Sequence, residues 1–260
     1  MDGKQKSVAA ITQELQNCSE EALIALCSNL RTDPRKSVQL LAEKAMKRLE
    51  KEKKELERVQ GMIDFEREIA GSTIYCGIDE AGRGPLAGPV VAAAVVLPQD
   101  FSVIGVDDSK KLSAKKREEL FGLILENALA VGIGMRNNKR IDEINILEAT
   151  KEAMADAVAE VQRVLGSQLG HILFDAMKID SINIEQTSLI KGDTKSVSIA
   201  AASIIAKVTR DRMMVKYAEE YPDYAFEKNK GYGTKAHYEG ISRAGICPIH
   251  RKTFLKNIIF

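Results

Sequence analysis

Four acidic residues stand out for where they fall rather than for their charge. Asp79 and Glu80 follow the apolar, β-branched run 73–78, Asp175 closes His171-Ile172-Leu173-Phe174, and Asp193 lies in Lys191-Gly192-Asp193-Thr194-Lys195, ahead of a segment rich in small residues. A carboxylate behind an apolar stretch is costly to desolvate unless it is paired or meets a cation. Strand ends of an open α/β sheet are where sites form, and carboxylates converging there suit a hard, oxygen-seeking ion such as magnesium. Two such ions roughly 3.5–4 Å apart can activate a water and stabilise the departing oxygen of a phosphodiester. No softer site competes: His171, His237 and His250 are dispersed, and Cys18, Cys27, Cys76 and Cys247 make no Cys-x-x-Cys pair. Against this stands the plainer role of an isolated Asp as a turn or cap residue. Adjacent strand residues also point to opposite faces, so Asp79 and Glu80 share a site only if the strand twists, bulges or ends between them.

Several loops fit a phosphate-bearing ligand. Gly82-Arg83-Gly84-Pro85 follows the acidic pair directly; its glycines let the backbone approach a ligand and present N–H groups, though such a turn is most often only a turn. Asp108-Ser109-Lys110-Lys111-Leu112 sets two lysines before a helix. Ser203, Lys207 and Arg210 recur at i, i+4 and i+7 and so share a helix face, which reads as a phosphate-facing stripe or as a wet surface. Lys228-Asn229-Lys230-Gly231-Tyr232-Gly233-Thr234-Lys235 has the composition of a loop that holds a backbone and stacks on a sugar or base, or of a flexible loop with a solvent-facing Tyr. His250-Arg251-Lys252 adds a small basic cluster.

The elements that must position these residues are legible in the periodicity. Residues 1–70 read as a helical extension: Ser19-Glu20-Glu21 starts one helix, and Asp33-Pro34 starts another with Pro at its first position. Val38, Leu41, Ala45, Leu49, Leu56, Val59 and Ile63 then step along one face to a stop at Gly71. Residues 71–260 read as α/β. Strands are expected at 73–78, 90–97 (buried on both faces), 131–135 and 172–174. Helices are expected over 113–128, over 143–165 capped by Asp142, and over 197–217. The fold class is therefore a mixed or parallel sheet covered on both faces, with a basic helical and loop segment at the C-terminus. The chain has no Trp, so the core must be aliphatic. Residues 1–70 balance thirteen basic against thirteen acidic side chains, whereas residues 207–260 carry eleven against six and leave an acidic middle. That suits cations held beside a phosphate backbone. The scattered cysteines, the lack of an apolar signal core and the shortness of the apolar run 86–97 make a cytoplasmic protein without a membrane span the expectation.

Taken in order, Gly77-Ile78-Asp79-Glu80-Ala81-Gly82-Arg83-Gly84-Pro85, Asp108-Ser109-Lys110-Lys111-Leu112, Ser203-Ile204-Ile205-Ala206-Lys207-Val208-Thr209-Arg210-Asp211 and Gly231-Tyr232-Gly233-Thr234 resemble the ribonuclease HII family, from about residue 74 to residue 254. The resemblance implies a ribonuclease H-like fold. It implies endonucleolytic cleavage of the RNA strand of RNA–DNA hybrids, and nicking 5′ to ribonucleotides embedded in duplex DNA, leaving 5′-phosphate and 3′-hydroxyl ends. It maps Asp79, Glu80, Asp175 and Asp193 onto the catalytic, metal-binding carboxylates, with two divalent cations, magnesium or manganese, as cofactors. Gly82, Arg83 and Gly84 become the loop that reads the ribose 2′-hydroxyl, Tyr232 the aromatic that stacks on the neighbouring sugar, and Lys110 and Lys207 further substrate contacts. The sister family, ribonuclease HIII, carries a Lys-containing loop where Arg83 stands. The helical extension departs from the compact family pattern and receives no role. A monomer acting on hybrid or ribonucleotide-containing duplex is expected. The alternatives are an inactive hybrid-binding module, or another ribonuclease H-like nuclease acting on DNA.

Overall fold

The computed structural model describes residues 6–166, 169–175 and 177–256. The chain divides into two compact units, Met1–Arg58 and Val59–Phe260.

The first unit is helical. Ser7 and Ser19 cap α1 (Val8–Asn17) and α2 (Glu20–Leu30), each accepting a backbone N–H from its helix's first turn. Helix α3 (Lys36–Ala70) starts two residues later than Pro34 led one to expect. The Arg35 carbonyl accepts the N–H groups of Val38 and Gln39, while the Asp33 carboxylate accepts the Arg35 N–H and shapes the turn before the helix. Ile11, Leu15, Leu23, Cys27, Leu30, Val38, Ala42 and Ala45 form the core of this unit. Leu56, expected on the apolar face of α3, is exposed. The helix ends at Ala70, where Gly71 takes a positive φ of 64°.

In the second unit the strands among the described residues are β1 (Ile74–Ala81), β2 (Val90–Val96), β3 (Ala130–Arg136), β4 (Leu169–Asp175) and β5 (Glu185–Leu189). They form one sheet in the order β3-β2-β1-β4-β5. Pairings β1–β2 and β2–β3 are antiparallel, and β1–β4 and β4–β5 parallel, so the sheet is mixed, as the sequence reading allowed. Strand β5 is a polar edge with no apolar alternation, which is why no sequence pattern announced it.

Helices cover both faces: α4 (Ala114–Asn127, capped by Ser113), α5 (Asn138–Leu165) and α6 (Val197–Glu220). Glycine makes the close approaches possible. A Cβ on Gly77 of β1 would lie 2.2 Å from the backbone of Ser198 and Ile199 on α6, and one on Gly134 of β3 would lie 1.9 Å from the Ala153 carbonyl oxygen on α5. Ala93, Val95, Ala201, Ile204 and Ile205 fill the α6 side with Val59, Met62 and Ile63. Cys76, Ile78, Ala92, Ala94, Ala153, Ala157, Ile172 and Phe174 fill the α5 side. Asp142 does not open α5: Asn137 caps it, and Asn145, at φ 70° and ψ 166°, breaks it and re-caps the rest through the N–H groups of Leu147 and Glu148. The Asp142 carboxylate instead accepts the N–H groups of Lys252 and Thr253. Leu147 is exposed, because it falls just after this break.

Beyond α6 lie α7 (Phe226–Asn229), α8 (Lys235–Ala244) and α9 (Lys252–Leu255). Their cluster of Tyr224, Phe226, Ile241, Ile249 and Leu255 packs on Leu86 and Ala87, just after β1. No described helix is long and apolar enough to cross a membrane.

Candidate active site

Strand β1 runs through Asp79 and Glu80 to Ala81, so the acidic pair lies inside the strand rather than beyond its end. The ladder to β2 stays regular there, with Asp79 opposite Ala93 and Glu80 opposite Ala92. The two side chains therefore alternate. Asp79 shares the face of Gly77, toward α6, and receives a hydrogen bond from Ser203 on that helix. Glu80 shares the other face with Ile78. Their common neighbour is Asp175. The parallel pairing of β1 and β4 ends with Ile78 beside Phe174, and Asp79 and Asp175 are the next residue on each strand.

Asp175 Oδ1 accepts the Gly192 N–H at 2.9 Å, which ties β4 to the 3-10 turn Gly192–Thr194 that carries Asp193. Ser109 Oγ meets Ser203 Oγ at 2.7 Å and fastens the Lys110 loop to α6. Arg83 reaches back to within 3.4 Å of Glu80 Oε1.

The electrostatics mark these groups as one neighbourhood. Asp79 is buried (9% exposed), and burial pushes its carboxyl up to about 8; Glu80 and Asp175 add repulsion, opposed by the hydrogen bonds from Ser203 and the Glu80 N–H. Glu80 is raised by burial and by Asp175, against the pull of Arg83 and Lys110. Asp193 is raised by burial, Asp108 and Asp175, against Lys110 and Lys111. Partial burial pulls the Lys110 ammonium down, but Asp108, Asp79, Asp193 and Asp175 outweigh it and hold it above its ordinary value. The structure thus brings together Asp79, Glu80, Asp175, Asp193, Lys110 and Arg83. Among the described residues no three His, Cys, Asp or Glu side chains close to metal-binding geometry.

A second group lies at the end of β1. Gly82 has φ +97°, and a Cβ there would meet Arg210 Nε at 2.1 Å. Tyr232 is exposed, and its ring edge lies 3.7 Å from where a Gly84 Cβ would be. Its backbone carbonyl faces His237 Nδ1 at 2.9 Å. Lys207 is elsewhere engaged, with Nζ 2.8 Å from Asp211 Oδ1, and among the described residues no hydrogen bond or ion pair joins it to the four carboxylates.

Three readings of the sequence change here. The stripe Ser203–Lys207–Arg210 is no wet surface, since Ser203 and Arg210 are buried; nor is His250-Arg251-Lys252 a surface cluster, since only Lys252 is exposed. The histidines are not all dispersed: His237 Nε2 lies 3.0 Å from His250 Nε2, and Cys247 Sγ lies 3.1 Å from His250 Nδ1. Burial lowers both imidazoles, His250 to about 4, so both disfavour the protonated form. Sequence reasoning missed Arg210 and Arg251 as loop organisers, and Ser109 and Ser203 as braces. The available signal was Arg210 at i+7 from Ser203, on one face of a helix otherwise rich in apolar and small residues.

Comparison with known proteins adds the following. A family model described as Ribonuclease HII matches residues 76–257, and one described as Ribonuclease HII N-terminal domain matches residues 7–70. A ribonuclease HII of Clostridioides difficile (strain 630) is 52% identical, covering 98% of this chain and 99% of its own. That of Bacillus subtilis (strain 168) is 51% identical over 96% of this chain and 95% of its own. Among solved structures, ribonuclease H2 from Pyrococcus horikoshii OT3 superposes with a TM-score of 0.54 at 29% identity, over 69% of this chain and 92% of that one.

Proposed function

The chain belongs to the ribonuclease HII family, and from that premise we propose that Asp79, Glu80, Asp175 and Asp193 are its catalytic carboxylates, acting where a ribonucleotide lies in a duplex. It is an endoribonuclease. The observation that carries the site is the burial of Asp79 beside Glu80 and Asp175, in a position that holds its carboxyl near 8 without a cation. A donor set made only of carboxylate oxygens, with Asp79, Glu80 and Asp193 raised by burial and by neighbouring acids, fits hard divalent ions. Magnesium or manganese is the expected pair, and divalent-cation dependence goes with the family. When bound, two such ions supply Lewis acidity to the phosphodiester and a water acidic enough to attack it.

The chain's own residues do the rest. Asp79 and Asp175, side by side on β1 and β4, would hold the ions, with Ser203 orienting Asp79. Glu80 approaches from the other face and Asp193 from its turn. Lys110 offsets charge at the rim and contacts phosphate; Lys207 adds a more distant backbone contact. The backbone of Gly82–Arg83–Gly84 reads the 2′-hydroxyl, and Tyr232 stacks on the adjoining sugar. The substrate is an RNA–DNA hybrid, or duplex DNA with embedded ribonucleotides, cut on the 5′ side to give 5′-phosphate and 3′-hydroxyl ends. In this reading the enzyme works as a monomer in the cytoplasm.

The test is a pair of duplexes that differ by one 2′-hydroxyl, incubated with magnesium or manganese. A nick confined to the ribonucleotide duplex is expected, together with loss of at least about a thousandfold in rate in Asp79→Asn and Asp175→Asn. Full activity in either variant overturns the site. Binding without a nick makes the protein a hybrid-binding module, and comparable cleavage of all-DNA duplex makes it a DNA nuclease.

A further inference from the structure

Arg210 and Arg251 are both 0% exposed. Among the described residues neither has a carboxylate at ion-pair distance. All their described hydrogen bonds go to main-chain carbonyls. Arg251 donates from Nε to Gly88 O (3.0 Å), from one terminal nitrogen to Arg83 O (2.9 Å) and from the other to Gly82 O (2.6 Å). Arg210 donates to Pro89 O (2.8 Å), Ala87 O (3.1 Å) and Lys230 O (2.9 Å). Five of the six carbonyls belong to the segment 82–89, and the sixth precedes Gly231–Tyr232. Backbone bonds join the same pieces: Leu86 N–H to Gly231 O, Gly88 N–H to Ile249 O and Arg251 N–H to Leu86 O. Burial pulls both guanidinium values down, to about 10 for Arg210 and about 9 for Arg251, the latter with help from Arg210. Both therefore stay charged at neutral pH.

Burying two cations without counter-charge is expensive, and a loop alone does not require it. What the planar fork of Arg supplies, and an ammonium does not, is a fixed set of donor directions. In a trans peptide the N–H of one residue points opposite to the preceding C=O. Carbonyls of Gly82 and Arg83 drawn inward to Arg251 thus turn the N–H groups of Arg83 and Gly84 outward. Among the described residues neither of these two N–H groups donates to the protein. They form an outward pair of donors, backed by two buried positive charges, beside the exposed ring of Tyr232.

We propose that Arg251, seconded by Arg210, is the positioning residue for ribose recognition: it fixes the peptide planes of residues 82–84 so that their free N–H groups meet the ribose 2′-oxygen, and locks that loop to the one bearing Tyr232. The proposal rests on the assignment of Gly82–Arg83–Gly84 to the ribose.

The experiment uses the full chain without divalent cation, so that no cleavage occurs. Affinity is measured for a duplex with one ribonucleotide and for its all-deoxy twin, in wild type, Arg251→Lys, Arg210→Lys and the control Val161→Ala, a buried truncation on α5. Amide exchange of Leu86 and Gly88 is followed in the same proteins. The ribo/deoxy affinity ratio is expected to fall by roughly tenfold or more in Arg251→Lys and by less in Arg210→Lys, with exchange of both amides faster by a similar factor. Val161→Ala should change neither. A ratio kept within about twofold in folded Arg251→Lys, or an equal loss in Val161→Ala, overturns the proposal; if Arg251→Lys does not fold, Arg210→Lys decides by the same criterion. Should wild type bind both duplexes equally, the ribose assignment has failed. The exchange data then decide the clamp alone, accelerated loop amides supporting it and unchanged ones overturning it.

Discussion

Asp79 meets opposing demands. As the metal ligand proposed above it must be ionised, yet its surroundings favour the proton. Its folded value near 8 lies above the ordinary 3.8, so between these limits the folded state binds a proton that the unfolded state lacks. Stability without cation therefore falls as pH rises through that window, and no such loss exists below it. Two outcomes follow at this scale. Asp79→Asn should raise the melting temperature of the cation-free protein at pH 8, by roughly 2–4 °C per kcal/mol relieved, but not at pH 4; melting curves across pH check it. Manganese added near pH 7 in weak buffer should release protons, and Asp79→Asn should release fewer, as read with an indicator dye. Asp79, Glu80 and Asp175 were legible because an acid terminating an apolar run is conspicuous in any sequence. Arg251 was not: the carbonyls it holds lie far back in the chain, and carbonyls leave no mark in a sequence.

At the scale of elements, strands β1 to β4 and the long helices of the second unit were legible from their apolar patterns, because β2 is an unbroken apolar run and the Ala steps of α5 repeat with a helical period. Breaks were harder. Asn145 sits in a backbone region that only Gly tolerates freely, held there by its own side chain capping the next turn. Asn145→Ala keeps the strain and loses the cap, so urea unfolding should show a loss of about 1–3 kcal/mol, with Asn145→Gly milder. Close approach was equally hidden. Gly134 reads as a weak strand residue, yet α5 lies directly on it, and Gly134→Ala should cost about 1–3 kcal/mol or more in the same assay.

For the whole molecule, the compact units meet at Arg58–Val59 inside α3, while the N-terminal family model ends at residue 70. The difference is physical. Residues 59–70 bring Val59, Met62 and Ile63 into the core of the second unit. They also bring Glu66, whose buried carboxyl accepts hydrogen bonds from the Ser196 hydroxyl and from the Ser198 N–H and hydroxyl, where α6 begins beside Asp193. We propose that the boundary drawn from the sequence at Ala70 describes the helical pattern, whereas independent folding follows the core. A chain beginning at residue 59 should melt near the temperature of the second unit in the full protein, and one beginning at residue 71 should melt lower by roughly 10 °C or more.

Strand β1 has antiparallel β2 on one side and parallel β4 on the other, and these neighbours become available at different times. The hairpin partner follows almost at once during synthesis, whereas parallel pairing waits for a long crossover and closes late. A nascent chain halted before β4 would carry Asp79 and Glu80 with neither Asp175 nor Asp193 to join them. Strand order thus acts as a timer: a product truncated before β4 lacks two of the four acids proposed to cut nucleic acid, and should leave the ribonucleotide duplex intact when assayed on it.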